Sequence, residues 1–223
     1  MTEIILLRIP DALSFAECEK LLSLVSEHRQ KKIERFHFEK DKLLSLFAEL
    51  LVRWQVMQKF HIPNREIQFD YGIHGKPFLL NAEYPFSLSH SGKYIAFASS
   101  PFPIGIDIES VQKADLQIAE SHFSPEELRF IQNHEQPELA FYQIWTAKEA
   151  YLKMTGDGLK VSLNTFCTIS GLKDYEIFHV LFPDYVTAIC QHSSLLKQEP
   201  VFMDATSLMK FFNVKGANYD ETQ

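Results

Sequence analysis

Apolar positions change their spacing several times along this chain, and each change predicts a different element. Residues Glu3 to Ile9 are dense in Ile and Leu, alternate poorly and stop at Pro10, which predicts a buried strand. Ser14 can then cap a helix whose apolar face is Leu21, Leu22 and Val25. From Asp41 to Phe60 the residues Leu43, Phe47, Leu50, Leu51, Trp54 and Met57 recur at steps of three and four, one side of a long helix and therefore core. Between Ile62 and Pro103, Pro, Gly and Asn separate short apolar runs; Tyr94 to Ala98, after the Ser91-Gly92 turn, is the clearest strand, and Ile104 to Glu109 is the next.

Further along, Ser124-Pro125-Glu126-Glu127 combines a cap, a proline at the first helical position and a Glu three residues after the cap. A second helix is expected from Glu138 to Met154, with Gly156 placed to end it. Thr165 to Ile169, Glu176 to Phe182 and Tyr185 to Gln191 read as strands, and the residues after Lys215 as a loose polar tail. The order strand, helices, strands occurs twice. It predicts an α+β protein of two halves, 1–103 and 104–223, without a visible sequence repeat, and argues against a doubly wound parallel sheet.

Composition narrows the class. A chain of 223 residues, 46% hydrophobic and 23% charged, is ordinary globular material. Cys18, Cys167 and Cys190 lack metal or disulfide spacing and read as small apolar groups in a reducing compartment. The N-terminus has no basic signal-peptide start, and no apolar run approaches the roughly 18 residues of a membrane span, so a cytoplasmic protein without a membrane partner is expected. A formal charge of −7 argues against nucleic-acid binding. Any anionic ligand must therefore meet a local basic site.

Four segments carry chemistry. Gly105-Ile106-Asp107-Ile108-Glu109 puts two carboxylates on one face of a strand, with Ile106 and Ile108 on the other. Two acids so close repel unless a cation lies between them, and an all-oxygen ligand set selects a hard ion such as Mg²⁺; a solvated strand edge is the plainer alternative. Glu149 and Lys153, four residues apart within Trp145–Lys153, share a helix face, either as a surface ion pair or as a third acid with its lysine. Phe86-Ser87-Leu88-Ser89-His90-Ser91-Gly92 sets Ser89 and His90 on opposite faces of an extended segment, which, with no G-x-S-x-G elbow in the chain, argues against a serine-hydrolase dyad. Its donors suit phosphate or satisfy their own turn. Gly75-Lys76-Pro77 is a rigid turn exposing a lysine, and is neither a Walker loop nor a dinucleotide fingerprint.

Taken together and in this order, GKP at 75–77, FSLSHSG at 86–92, GIDIE at 105–109 and WTAKEAYLK at 145–153 resemble the signature set of Sfp-type 4′-phosphopantetheinyl transferases. The resemblance implies a pseudo-dimer of two similar α/β halves, with mostly antiparallel sheets, packed helices and a coenzyme A site between the halves. It implies transfer of 4′-phosphopantetheine from coenzyme A to a serine of an apo acyl or peptidyl carrier protein, releasing 3′,5′-ADP, by a monomer.

By the same resemblance, Asp107, Glu109 and Glu149 would hold Mg²⁺. Lys76, Ser89 and His90 would grip the nucleotide, with Arg29 and Lys32 assisting at its 3′-phosphate, and Lys148 and Lys153 would face the pyrophosphate. Glu149 and Glu127 are the two bases to weigh, although a capping box with Ser124 explains Glu127 without catalysis. Asp157 stands in Gly156-Asp157-Gly158 where the family often has a lysine. A coenzyme A- or carrier-binding module without turnover, and a metal-dependent phosphohydrolase, are the rival readings.

Overall fold

A computed structural model describes residues 1–73, 75–114, 116–156, 158 and 161–216. The chain runs β1 (Glu3–Arg8), α1 (Phe15–Cys18), α2 (Glu27–Glu34), α3 (Glu39–Phe60), β2 (Phe69–Tyr71), β3 (Pro77–Leu79), β4 (Phe86–Ser91), β5 (Tyr94–Ser99), β6 (Gly105–Ser110), α4 (Leu116–His122), α5 (Pro125–Asn133), α6 (Pro137–Thr155), β7 (Tyr175–Phe182), β8 (Tyr185–His192), β9 (Val201–Asp204) and α7 (Ala205–Gly216). Residues Asp157 and 217–223, on which the glycine-loop and polar-tail expectations fall, lie outside the described residues.

The poor alternation of β1 has a physical cause, because both of its faces are buried. Ile5 and Leu7 join Leu50, Ile95 and Phe97 in the core beneath α3, whereas Ile4 and Leu6 meet Ala96, Ala98, Ile106, Ile108 and Ile189 in a second core. That second core lies between a sheet of order β4-β5-β1-β9 and a sheet of order β6-β8-β7. On the outer face of the latter, Ala188 and Cys190 pack against Ala147, Ala150 and Met154 of α6. The layers are helix, sheet, sheet, helix.

The same topology occurs twice. In each half the first strand pairs antiparallel with the third, which pairs antiparallel with the second: β1-β5-β4, then β6-β8-β7. A long helix, α3 or α6, connects first to second strand. This is the α+β pseudo-dimer expected. β9 departs from the repeat by adding parallel to the free edge of β1.

Local signals account for the element ends. The Ser124–Glu127 capping box forms with Pro125 in the first turn, and Gly156 closes α6 at φ 79°. The Ser14 cap also forms its box with Glu17, but α1 is a single turn that tightens into a 3₁₀ segment at Glu19–Leu24. The strand expected at Thr165–Ile169 is absent: a 3₁₀ turn covers Leu163–Thr165, and the backbone beyond it is satisfied by buried side chains in place of a ladder. α2 and α7 lacked a clear sequence signal. Cys18 and Cys190 are core thiols pushed up by burial to about 11 and about 12. Among the described residues no helix is long and apolar enough to cross a membrane.

α6 lies so close to β6 that Gly105 has no room for a side chain. A Cβ there would stand 1.8 Å from the Ala150 carbonyl oxygen and 2.7 Å from the Met154 amide nitrogen. Gly105→Ala should therefore lift α6, costing about 1–3 kcal/mol in urea unfolding, as overpacked cores do. It should also lose most activity, because Glu149 and Lys153 ride on that helix. An alanine variant with wild-type stability and rate would show that the close approach is dispensable.

Candidate active site at the joint between the sheets

β4 lies beside β6 without sharing its ladder, and a row of serines joins them. The two-residue period of β4 turns Ser87, Ser89 and Ser91 toward β6. Ser87 Oγ accepts from the Ile106 amide at 3.1 Å. Ser89 Oγ donates to Asp107 Oδ1 at 2.7 Å. Ser91 Oγ donates to Glu109 Oε2 at 2.8 Å and accepts from the Ser110 amide at 3.1 Å. The serine-rich segment is therefore a strand that fixes the two acids, and Ser87 and Ser91, which carried no assignment, were legible in its alternation.

Lys153 crosses from α6 to this row, donating to Asp107 Oδ1 at 2.7 Å and to Ser89 Oγ at 2.8 Å. Its ion pair is thus with Asp107 on β6, and it is not a mere surface partner of Glu149. Asp107 is 4% exposed, and its second oxygen, Oδ2, is buried without a hydrogen-bond partner. Burial first, with the charge of Asp107 added, raises the carboxyls of Glu109 and Glu149 above the ordinary range; the Ser91 hydrogen bond and then Lys153 oppose this at Glu109, and Lys153 opposes it at Glu149. Among the described residues no three acidic, His or Cys side chains stand close enough together to form a ready-made ion cage.

Two spaces meet at Lys153. A cavity of about 260 Å³ is lined by Lys76, Pro77, Phe86, Leu88, Glu149 and Leu152. A groove of about 720 Å³ is lined by His28, Arg29, Lys32, Tyr71, Ser89 and His90. Lys31 and Arg35 add to its positive wall, a run visible in the sequence as His28-Arg29-Gln30-Lys31-Lys32 but only partly used there. The packed groove desolvates the His90 ring and, with Lys153, Lys32 and Arg29 nearby, holds it below the ordinary imidazole range, although one side of the residue is exposed. Desolvation and Arg29 likewise lower Lys32.

The remaining assignments need correction. Lys76 does not project into solvent from its turn. It is half-buried, donates to the Ile104 carbonyl at 3.3 Å and to the Lys153 carbonyl, and is lowered to about 8 by burial and then by Lys153.

Lys148 and Glu127 do not face these spaces at all. Both are 0% exposed and pair at 2.8 Å. Lys148 Nζ spends its other protons on the carbonyls of Leu163 and Phe166, at 2.6 and 2.7 Å. Glu127 accepts from the amides of Ser124 and Thr168, both at 2.8 Å, and from the Thr168 hydroxyl at 2.9 Å. Its lone pairs are taken, so it has no access to an incoming hydroxyl. Burial alone would raise the Glu127 carboxyl; Lys148 and the amide donors overcome this and hold it below the ordinary range. Burial draws the Lys148 ammonium down against the pull of Glu127.

Paired acids beside a lysine, at the meeting of a basic groove and a half-apolar cavity, define a site for moving a phosphorylated group. The comparisons with known proteins agree with that class. Residues 103–195 match the 4'-phosphopantetheinyl transferase superfamily, and residues 13–102 match the 4'-phosphopantetheinyl transferase N-terminal family. The 4'-phosphopantetheinyl transferase gsp of Aneurinibacillus migulanus is 34% identical over 168 residues, covering 74% of this chain and 70% of that protein. The 4'-phosphopantetheinyl transferase Sfp of Bacillus subtilis (strain 168) is 32% identical over 157 residues, covering 69% and 70%. The chain belongs to the 4′-phosphopantetheinyl transferase family.

The buried pair yields a stability prediction. Removing one partner, as in Glu127→Ala or Lys148→Ala, leaves an uncompensated buried charge and should cost about 3–5 kcal/mol in urea unfolding. The folded-state value of Glu127 is depressed, so its contribution is complete above the unfolded value and is lost as pH falls through the folded one. The gap between wild type and Glu127→Gln should accordingly be full near neutrality and shrink as pH falls below about 4. A gap constant from neutral to strongly acid pH would refute the pairing.

Proposed function

We propose that this chain transfers the 4′-phosphopantetheine arm of coenzyme A to a serine of an apo acyl or peptidyl carrier protein, releasing 3′,5′-ADP. The observation that carries the reading is the Lys153–Ser89–Asp107 triangle at the junction of groove and cavity. The nucleotide lies in the groove, with its 3′-phosphate toward His90, Lys32 and Arg29, and the pyrophosphate comes to Lys153. The groove and cavity draw residues from 1–103 and 104–223 alike, so one chain is able to supply the whole site, which is what a monomeric transferase requires.

Asp107 fits one ligand position of a hard divalent cation, because its Oδ2 is buried and unpartnered, although the three acids do not converge into a ready-made cage. Asp107, Glu109 and Glu149 would hold Mg²⁺, which when bound neutralises phosphate charge. The chain's own groups do the rest. Glu149, which lines the cavity beside Lys153, takes the proton of the carrier serine hydroxyl. The serine oxygen forms its bond to the β-phosphorus as the bond from that phosphorus to the bridging oxygen of the 3′,5′-ADP breaks. Lys153 stabilises the charge that collects on the departing phosphate.

Intact-mass measurement of an apo-carrier incubated with coenzyme A and Mg²⁺ tests the activity. The carrier should gain about 340 Da, the mass of the transferred group, and Asp107→Ala should abolish the gain while the protein stays folded. Release of 3′,5′-ADP without a carrier would favour hydrolysis, and tight coenzyme A binding with no mass change on any carrier would favour a binding module.

Lys153 separates catalysis from simple ion pairing. Lys153→Ala should lower kcat by roughly 10² or more, as does loss of one preorganised donor. Asp107 is buried although the ammonium is partly exposed, so losing the pair should also cost about 1–3 kcal/mol of stability. A normal rate with a lowered melting temperature would remove Lys153 from the reaction.

A further inference from the structure

α3 carries a carboxylate buried among cations some way from the acids of β6. Glu49 is 2% exposed and Arg53 4% exposed, one turn apart on the helix. Glu49 Oε1 accepts from the Ser26 amide at 2.6 Å and from Arg53 Nε at 2.8 Å, and Arg53 Nη2 lies at 2.8 Å from the same oxygen. Glu49 Oε2 accepts from Ser26 Oγ at 2.9 Å and from Arg29 Nε at 3.1 Å. Arg29 is held a second time, donating from Nη1 to Ser45 Oγ at 3.2 Å. Ser26 is the N-cap of α2, its hydroxyl accepting from the Arg29 amide at 3.2 Å.

One buried carboxylate thus faces two guanidiniums, and the cluster keeps a surplus positive charge. Arg53 is enclosed: it donates to the Asn64 carbonyl at 3.0 Å and lies over the Phe69 ring at 5.1 Å. Arg29 differs, because it lines the groove. Beside it, the Tyr71 and His28 rings meet at a tilt of 32°, 4.3 Å between centroids, and form part of the same wall. Of the two guanidiniums, Arg29 is the one that brings this surplus charge to the basic groove. A guanidinium fixed at two points also loses little freedom when it meets a phosphate.

We propose that Glu49 is a positioning residue for coenzyme A: it locks Arg29 and the first turn of α2 against the groove, so that the 3′-phosphate meets a preset guanidinium. The assignment rests on the groove reading above.

Steady-state kinetics on one carrier, with coenzyme A and with dephospho-coenzyme A, test it in Glu49→Gln. The KM for coenzyme A should rise about tenfold, with kcat at saturation within about twofold, while the KM for dephospho-coenzyme A stays within about twofold. In an Arg29→Ala background the same substitution should add nothing further. A parallel rise for both substrates, or an increment that persists without Arg29, would make Glu49 a stabiliser of the fold only and overturn the proposal. Should Glu49→Gln fail to fold, Ser45→Ala removes just the second anchor of Arg29. It should raise the KM for coenzyme A selectively by about twofold to threefold, and no selective rise would overturn the proposal equally. If the wild type does not discriminate between the two substrates, the groove reading falls, and this assignment with it.

Discussion

The approach of α6 to β6 governs what the site can be. With hydrogen as the only side chain at position 105, the Ala150 carbonyl settles where a Cβ would otherwise stand. Asp107 and Glu109 follow on that face of the strand, so every ångström given up at Gly105 brings Glu149 and Lys153 nearer to them. The contact is backbone against backbone and hence stiff. It sets a distance that side-chain rotamers could only approximate, and the 2.7 Å bond from Lys153 to Asp107 is its direct consequence. The serine row of β4 completes the frame from the other sheet, fixing Asp107 and Glu109 by their carboxylate oxygens.

Charges in this molecule fall into two sorts. Glu127 and Lys148 are sealed, each with its hydrogen-bonding capacity spent, and they hold the 163–168 segment against α5 and α6. Such a pair has nothing left to give a ligand. Asp107, Glu109, Glu149 and Lys153 are incompletely matched: a buried oxygen lacks a donor, and two carboxyls are raised by burial and by a neighbouring acid. Imperfect satisfaction in a cavity is what a ligand can relieve, whereas saturation is what a fold requires. Adjacent positions, Lys148 and Glu149, belong to opposite sorts because the helical turn of about 100° per residue points one inward and the other into the cavity.

Much of this was legible in the sequence. The strand acids, the serine strand and the Glu149–Lys153 helix could be read because each is a local pattern at a fixed period, and the long helices because their stripes match one core. The fates of Lys148 and Glu127 could not be read, since the two meet across 21 residues of chain and nothing local in WTAKEAYLK says which lysine turns inward. The capping box of Ser124 explained half of Glu127; the rest depended on the 163–168 segment. The stretch Thr165-Phe166-Cys167-Thr168-Ile169 reads as a strand in the sequence, while carbonyls in and just before it in fact go to a lysine. Lys76 looked exposed for the complementary reason: a Gly-Pro turn states how the chain bends but not what it bends against.

The repeated topology raises the question of why the chemistry occurs once. The ladders of the two halves start at Glu3↔Ser99 and at Gly105↔Cys190, so position by position Glu3 corresponds to Gly105, Ile5 to Asp107 and Leu7 to Glu109. In the first half that face of the strand belongs to the core under α3, where Ile5 and Leu7 are buried. The residue in the place of the crucial glycine is a glutamate that pairs with Lys59 at the end of α3 at 3.1 Å. A side chain at that position forbids the backbone contact that draws α6 inward, and isoleucine and leucine have no use for a cation. What the first half contributes is the other wall: the serine strand β4, the lysine turn and the basic face of α2. The candidate site therefore takes its acids and Lys153 from one half and its serine hydroxyls and the other cations from the other, and neither half would possess it alone.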